Sequence, residues 1–154
     1  MYKHILLAYD GSREGRLALR EGAKLAQVCK AEVTLLAVVD LSSAIGLAPD
    51  PAALYFPPDE TETYQKILDE GVERLKRMGM TPNARLERGQ PADRITAVSV
   101  EIGADLVVVG HQRQGAVARW LLGSVTSDLS DILGCSLLVA KMELSDEELF
   151  GPTA

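Results

Sequence analysis

Four short apolar runs, separated by amphipathic stretches, constrain this chain more than any other feature. They are Ile5-Leu6-Leu7-Ala8, Val33 to Val39, Leu106-Val107-Val108-Val109 and Leu137-Leu138-Val139-Ala140. A strand that is apolar at successive positions has both faces away from water. In a β-sheet that requires helices on both sides, the arrangement of a buried parallel sheet. A fifth run, Ala84-Arg85-Leu86-Glu87-Arg88, alternates instead. It reads as an edge strand with one face in water.

Four helices are expected between these strands. Ser12 is a good N-cap for the first, whose apolar stripe runs Ala18, Gly22, Leu25, Cys29. Tyr64, Leu68, Gly71, Leu75 and Met78 form the stripe of the second, with a stop near Gly79. Pro91 suits the first turn of the third, which carries Ile95, Val98 and Ile102. The fourth carries Leu122, Val125, Leu129 and Ile132 and stops at Gly134. The order βαβ-loop-αβαβαβ predicts an α/β fold with a doubly wound parallel sheet, helices on both faces and right-handed crossovers.

Length and composition narrow the class further. A chain of 154 residues is one domain's worth and buries enough surface to fold without staples. Hydrophobic residues at 47% with 25% charged fit a globular rather than a disordered chain. A net charge of −6 argues against nucleic acid or an anionic membrane as partner. No apolar run approaches the roughly 20 residues that span a bilayer, and the N-terminus lacks a secretory signal, so a cytoplasmic location is expected. Cys29 and Cys135 are far apart and form no CxxC, which reads as two small buried hydrophobes rather than a disulfide or zinc site. The folded domain is expected over residues 1–142, followed by an acidic tail over 143–154. In that tail Ser145-Asp146-Glu147-Glu148 resembles a capping box. Residues 41–60, with four prolines among apolar side chains, read as a lid, a contact surface or a poorly ordered crossover.

Ligands of doubly wound sheets bind beyond the carboxyl ends of the strands, where the strand order reverses. Two strand ends here carry suitable chemistry. The first reads Tyr9-Asp10-Gly11-Ser12: a carboxylate, a flexible turn and a helix cap. The strand ending at Val109 opens into Gly110-His111-Gln112-Arg113-Gln114-Gly115, and the chain reaches Gly123-Ser124 at the next helix. Glycines admit an anion close to the backbone, and free N–H groups at a helix start point toward it. These residues make a phosphate cradle, although each also has a reading as an ordinary turn or cap. Gly110 and Gly115 have the spacing of GxxxxGK[ST], but Ala116 and Val117 follow, which excludes the usual NTPase loop. No nucleophile–base pair stands out, so no catalytic residue is assigned, and slow ATP hydrolysis is the most an enzyme reading would allow. No cluster of His, Cys or acidic residues marks a side-chain metal site.

In order and spacing these segments resemble the universal stress protein family over about Lys3 to Lys141. The residues that carry the resemblance are Ile5 to Ser12, Leu35 to Asp40, Gly89-Gln90-Pro91-Ala92, Ala104 to Gly110, Leu121 to Thr126, and Cys135 to Val139. The resemblance implies strand order 3-2-1-4-5, whose reversal falls between the two strand ends singled out above. It implies an adenine-nucleotide site (ATP or AMP, with Mg²⁺ accompanying ATP) drawn from Ala8, Tyr9, Asp10, Ser12, Val38, Gly110, His111, Arg113, Gly115, Gly123, Ser124, Val125 and Thr126. Val38 would offer its backbone to adenine. Nucleotide-binding members carry Gly, two residues, Gly, nine residues, Gly, then Ser or Thr. Gly110, Gly123 and Ser124 match, whereas Arg113 stands at the second glycine.

Arg113 has two readings. A side chain where φ > 0 is needed costs about 1–2 kcal/mol and crowds the phosphates. Swung outward, it offers a charge-assisted contact to them. Two functions follow: a nucleotide-responsive stress regulator, or a scaffold that signals by contact with an unidentified protein partner and binds no nucleotide. The apolar run Leu137–Ala140 would be an exposed edge, which predicts a homodimer joined through it, as in family members with this pattern. The charge also has a gradient. Gly110 to Val125 carries +2 and the rest of the chain −8, so the acidic balance excludes long polyanions but not a single nucleotide.

Overall fold

A computed structural model describes residues 1–41, 60–111 and 122–141, together with Ser145, Glu147 and Gly151. The strands are β1 (His4–Ala8), β2 (Glu32–Asp40), β3 (Asn83–Gly89), β4 (Leu106–Gly110) and β5 (Ser136–Ala140). The helices are α1 (Arg13–Cys29), α2 (Thr61–Arg77), α3 (Pro91–Glu101) and α4 (Leu122–Ile132). The five strands form one sheet in the order β3-β2-β1-β4-β5, and every pairing is parallel. From β1 to β3 the chain steps one way across the sheet, and from β3 through β4 to β5 it steps the other. Right-handed crossovers therefore put α1 and α2 on one face and α3 and α4 on the opposite face. Helix packing agrees: α1 lies on α2, and α3 on α4.

Three of the four continuous apolar runs, those of β1, β2 and β4, are buried as expected, whereas the run in β5 is only half-buried because that strand is a sheet edge. Ile5, Leu6, Leu35 to Val38, Val107 and Val108 are all at or near zero exposure, and they form one core with Leu17, Ala18, Ala23, Leu68, Leu75, Ile95, Val98 and Leu129. Two helical glycines bring helices close to the sheet. A methyl on Gly22 would lie 2.3 Å from Leu7 Cδ2, and one on Gly71 would lie 2.8 Å from Tyr9 Cδ1.

Ser12 at α1 and Pro91 at α3 stand where the sequence places them. Ser12 caps α1 by accepting from Gly15 N–H at 3.0 Å, and Gln90 caps α3 by accepting from Asp93 N–H at 2.8 Å with Pro91 in the first turn. The stop of α1 is Lys30, left-handed at φ 55°, where glycine is the usual choice.

Several details correct the sequence expectations. Cys29 and Cys135 are half-buried free thiols rather than core residues. Ile132 is 47% exposed because α4 ends there and Leu133, the next residue, packs on the core instead. The buried face of α1 is wider than the expected stripe: it includes Gly15, Leu17, Leu19 and Ala26, while Leu25 and Cys29 sit at its margin.

The two sheet edges differ in kind. On β3, Arg85 donates to Glu87 at 2.6 Å and to both carboxylate oxygens of Glu101, and Arg94 approaches Glu87 at 3.5 Å. Charges of this sort discourage strand addition. On β5, Leu137, Leu138 and Val139 are only half-buried. In the tail, Gly151 N–H donates to Glu147 O at 2.9 Å. The 41–60 segment lies outside the described residues except for Leu41 and Glu60. Among the described residues no helix is long and apolar enough to cross a membrane.

Candidate functional site

The site is built around the end of β1. Ala8 pairs with Leu36 on β2, and Tyr9 N–H still donates to Leu36 O at 2.9 Å. The chain then leaves the sheet through Gly11, left-handed at φ 78°, and enters α1. Continuing the β1–β2 register by two residues puts Val38 level with Asp10 at the C-terminal edge. Val38 itself pairs with Glu87 on its other side.

Asp10 is a carboxylate only 2% exposed. Its Oδ1 accepts from Ser12 N–H at 2.9 Å and from the Ser12 hydroxyl at 2.5 Å. Its Oδ2 is buried with no hydrogen-bond partner among the described residues. Burial pushes the carboxyl above the usual carboxylate range, the two bonds from Ser12 pull the other way, and the nearby Glu14 charge adds to the upward push. A buried acceptor oxygen without a donor is costly inside a protein, on the order of 1–3 kcal/mol. Such groups are retained where they meet something that comes and goes.

Gly110 ends β4 immediately beside this turn. A methyl there would stand 2.3 Å from Glu14 O and 2.9 Å from Gly15 N. A methyl on Gly15 would in turn fall 2.7 Å from Asp10 Oδ1. The ends of β1 and β4 thus meet through bare backbone, and Gly110 has a packing reason to be glycine besides its place in the cradle. Gly15 and Glu14 belong to this junction although the sequence pattern did not single them out. Their only signal is a small residue three positions past the cap.

The remaining candidates fall into three groups. His111 follows β4, half-buried, with its N–H donating to Ala140 O at 3.0 Å. Arg113 and Gly115 lie outside the described residues. Gly123, Ser124, Val125 and Thr126 form the opening turns of α4, where backbone N–H groups lack helical partners. Because β1 and β4 run parallel, the chain leaves β4 toward α4 at the same edge of the sheet as Asp10. Tyr9 differs from the others. Its side chain is fully buried and donates through its hydroxyl to Glu70 of α2.

Among the described residues no group of three His, Cys, Asp or Glu side chains is arranged to hold a metal ion. The strand order reverses between β1 and β4, with the Asp10 turn at the end of one and Gly110 at the end of the other, which is the layout of a doubly wound α/β protein.

The comparisons with known proteins narrow this class to one family. The chain belongs to the universal stress protein family, whose model matches residues 1–141. It is 30% identical over 149 residues to a universal stress protein of Methanocaldococcus jannaschii, a match covering 92% of this chain and 83% of the relative. Among solved structures it resembles a universal stress protein in complex with cAMP, with TM-score 0.66, 24% identity and coverage of 92% of this chain and 98% of the other. It also resembles a family protein from Arabidopsis thaliana with AMP bound, with TM-score 0.64, 17% identity and 94% of each chain covered.

Proposed function

We propose that this chain is a cytoplasmic regulatory protein that binds an adenine nucleotide, ATP or AMP, between the Asp10 turn and the start of α4, and that it works as a homodimer. The observation that carries this reading is the Oδ2 of Asp10, buried at the strand-order reversal and without a hydrogen-bond partner among the described residues. A ribose hydroxyl or an adenine amino group would supply the missing donor. The phosphates would then meet the N–H groups of Gly123 to Thr126, at the positive end of the α4 dipole. Gly110, Val38 and the backbone of Ala8 and Tyr9 would shape the floor, and His111, Arg113 and Gly115 are further candidates for contact with the ligand. Mg²⁺ would travel on the phosphates of ATP, keeping several of its waters. The AMP and cAMP in the two structural neighbours support an adenine ligand.

The purified protein is expected to release an adenine-containing compound on denaturation, detectable by mass spectrometry, or to bind one when it is added. Failure on both counts sinks the reading. A second reading, a scaffold that binds no nucleotide, rests on Arg113 standing at the family's second glycine, and Arg113→Gly separates the two. Weakened binding in the variant identifies an arginine–phosphate contact. Binding gained where the native protein has none identifies a closed site and a role through protein contact.

The half-buried apolar face of β5 supports the dimer. Light scattering at micromolar concentration is expected to give twice the 16.6 kDa chain mass, and Leu138→Lys is expected to halve it. A native protein of monomer mass would overturn this assembly.

A further inference from the structure

The buried face of Tyr9 carries a feature that nucleotide contact alone does not explain. Its ring fills the notch beside Gly71 of α2, where a methyl would come within 2.8 and 2.9 Å of Cδ1 and Cε1. Its hydroxyl donates to Glu70 of α2. Glu70 also receives Arg74 from its own helix and Arg16 of α1 at 3.5 Å. One carboxylate, about one-third exposed, thereby gathers β1, α1 and α2 at a single point. Desolvation and the Glu70 charge both raise the phenol's pKa, so it stays a neutral donor at physiological pH.

The location of this knot gives it consequence. Tyr9 is joined by one peptide bond to Asp10, and its N–H is fixed on Leu36 O. Any shift of α2 that drags Glu70 therefore pulls on the residue whose backbone leads directly into Asp10. Motion in the other direction is transmitted equally, since linkage between two sites is reciprocal. The outer face of α2 is exposed and charged, with Glu62, Lys66, Asp69, Glu73 and Lys76 along it. That is a surface a protein partner can read.

We infer that Glu70 is a positioning residue that couples the Asp10 site to helix α2 through the Tyr9 hydroxyl, so that nucleotide occupancy is reported on the α2 surface. The inference rests on the nucleotide reading above for its ligand, but the mechanical link stands separately from it.

The test uses the full chain with Tyr9→Phe, Glu70→Gln and the double variant. Amide hydrogen exchange in the absence of nucleotide is expected to speed up about tenfold across Asp10 to Gly15 in each single variant, with no further gain in the double. Affinity for ATP-Mg²⁺ or AMP is expected to fall about tenfold in each, again without adding in the double. Nucleotide is expected to slow exchange around Glu70 in the native protein and not in Tyr9→Phe. A residue that merely holds the fold together would lower the melting temperature without removing that ligand-dependent protection. Unchanged exchange across Asp10 to Gly15 in the single variants overturns the coupling, whether or not nucleotide binds. Changed exchange with unchanged affinity overturns the positioning role. If the native protein binds no nucleotide, the functional reading fails, and the nucleotide-free exchange data alone decide the link between Tyr9 and α2.

Discussion

Gly110→Ala is expected to lower the unfolding free energy by about 3 kcal/mol, near the upper end of what overpacking costs. The added methyl would meet backbone on both near contacts, Glu14 O at 2.3 Å and Gly15 N at 2.9 Å, and backbone in the first turn of a helix has little room to yield. Gly22→Ala is the informative control. Its nearest atom is also at 2.3 Å, but that atom is the terminal Cδ2 of Leu7, which can rotate. Replacing a helical glycine moreover returns on the order of 1 kcal/mol of helix propensity. Urea unfolding monitored by far-ultraviolet circular dichroism should therefore rank Gly110→Ala well below Gly22→Ala. Equal midpoints for the two would refute the close backbone junction between β4 and α1.

Asp10→Asn is expected to move stability and binding in opposite directions. The folded-state carboxyl of Asp10 titrates above its unfolded value because it is buried. For a group raised in this way, the stability it contributes is fully present below the unfolded pKa, near 4, and is lost as pH rises through the folded pKa. The advantage of Asp10→Asn over the native chain should therefore grow as pH rises from 4 toward 8. Paired urea titrations across that range check the sign. A difference independent of pH would mean that Asp10 is not strained by burial.

Binding goes the other way. Both bonds from Ser12 donate to Oδ1, so an asparagine would keep its carbonyl oxygen there and place its amide nitrogen where Oδ2 stands. A donor would then face the donor of the ligand. Affinity should fall roughly 10- to 100-fold, or about 1.4–2.8 kcal/mol. A site that gives up stability for an unpaired acceptor is the usual signature of function competing with folding.

Much of this was legible in the sequence, for identifiable reasons. Continuous runs such as Leu106–Val109 can only be buried on both faces, and Tyr64, Leu68, Gly71 and Leu75 repeat at the helical period, so strand and helix identities followed from periodicity. The Asp10-Gly11-Ser12 turn was legible because capping and left-handed glycine are local properties. What escaped depends on contacts between distant segments. Tyr9 and Glu70 are 61 residues apart, and only the packing of α2 on the sheet brings them together. Gly15 and Gly110 form one backbone junction that no local pattern encodes. Lys30 stops α1 in a conformation that favours glycine, held by its N–H bonds to Ala26 and Gln27 carbonyls. The half-burial of Cys29 and Cys135 follows from where helix and strand ends fall on the surface, which residue type alone does not fix.

Isothermal titration calorimetry of the native chain with ATP-Mg²⁺ and with AMP tests the central claim most directly. Saturable heat at one site per chain with at least one of them, weakened tenfold or more in Asp10→Asn, is the predicted result. No saturable heat with either nucleotide, or equal affinity in Asp10→Asn, would contradict a nucleotide site built on the Asp10 turn.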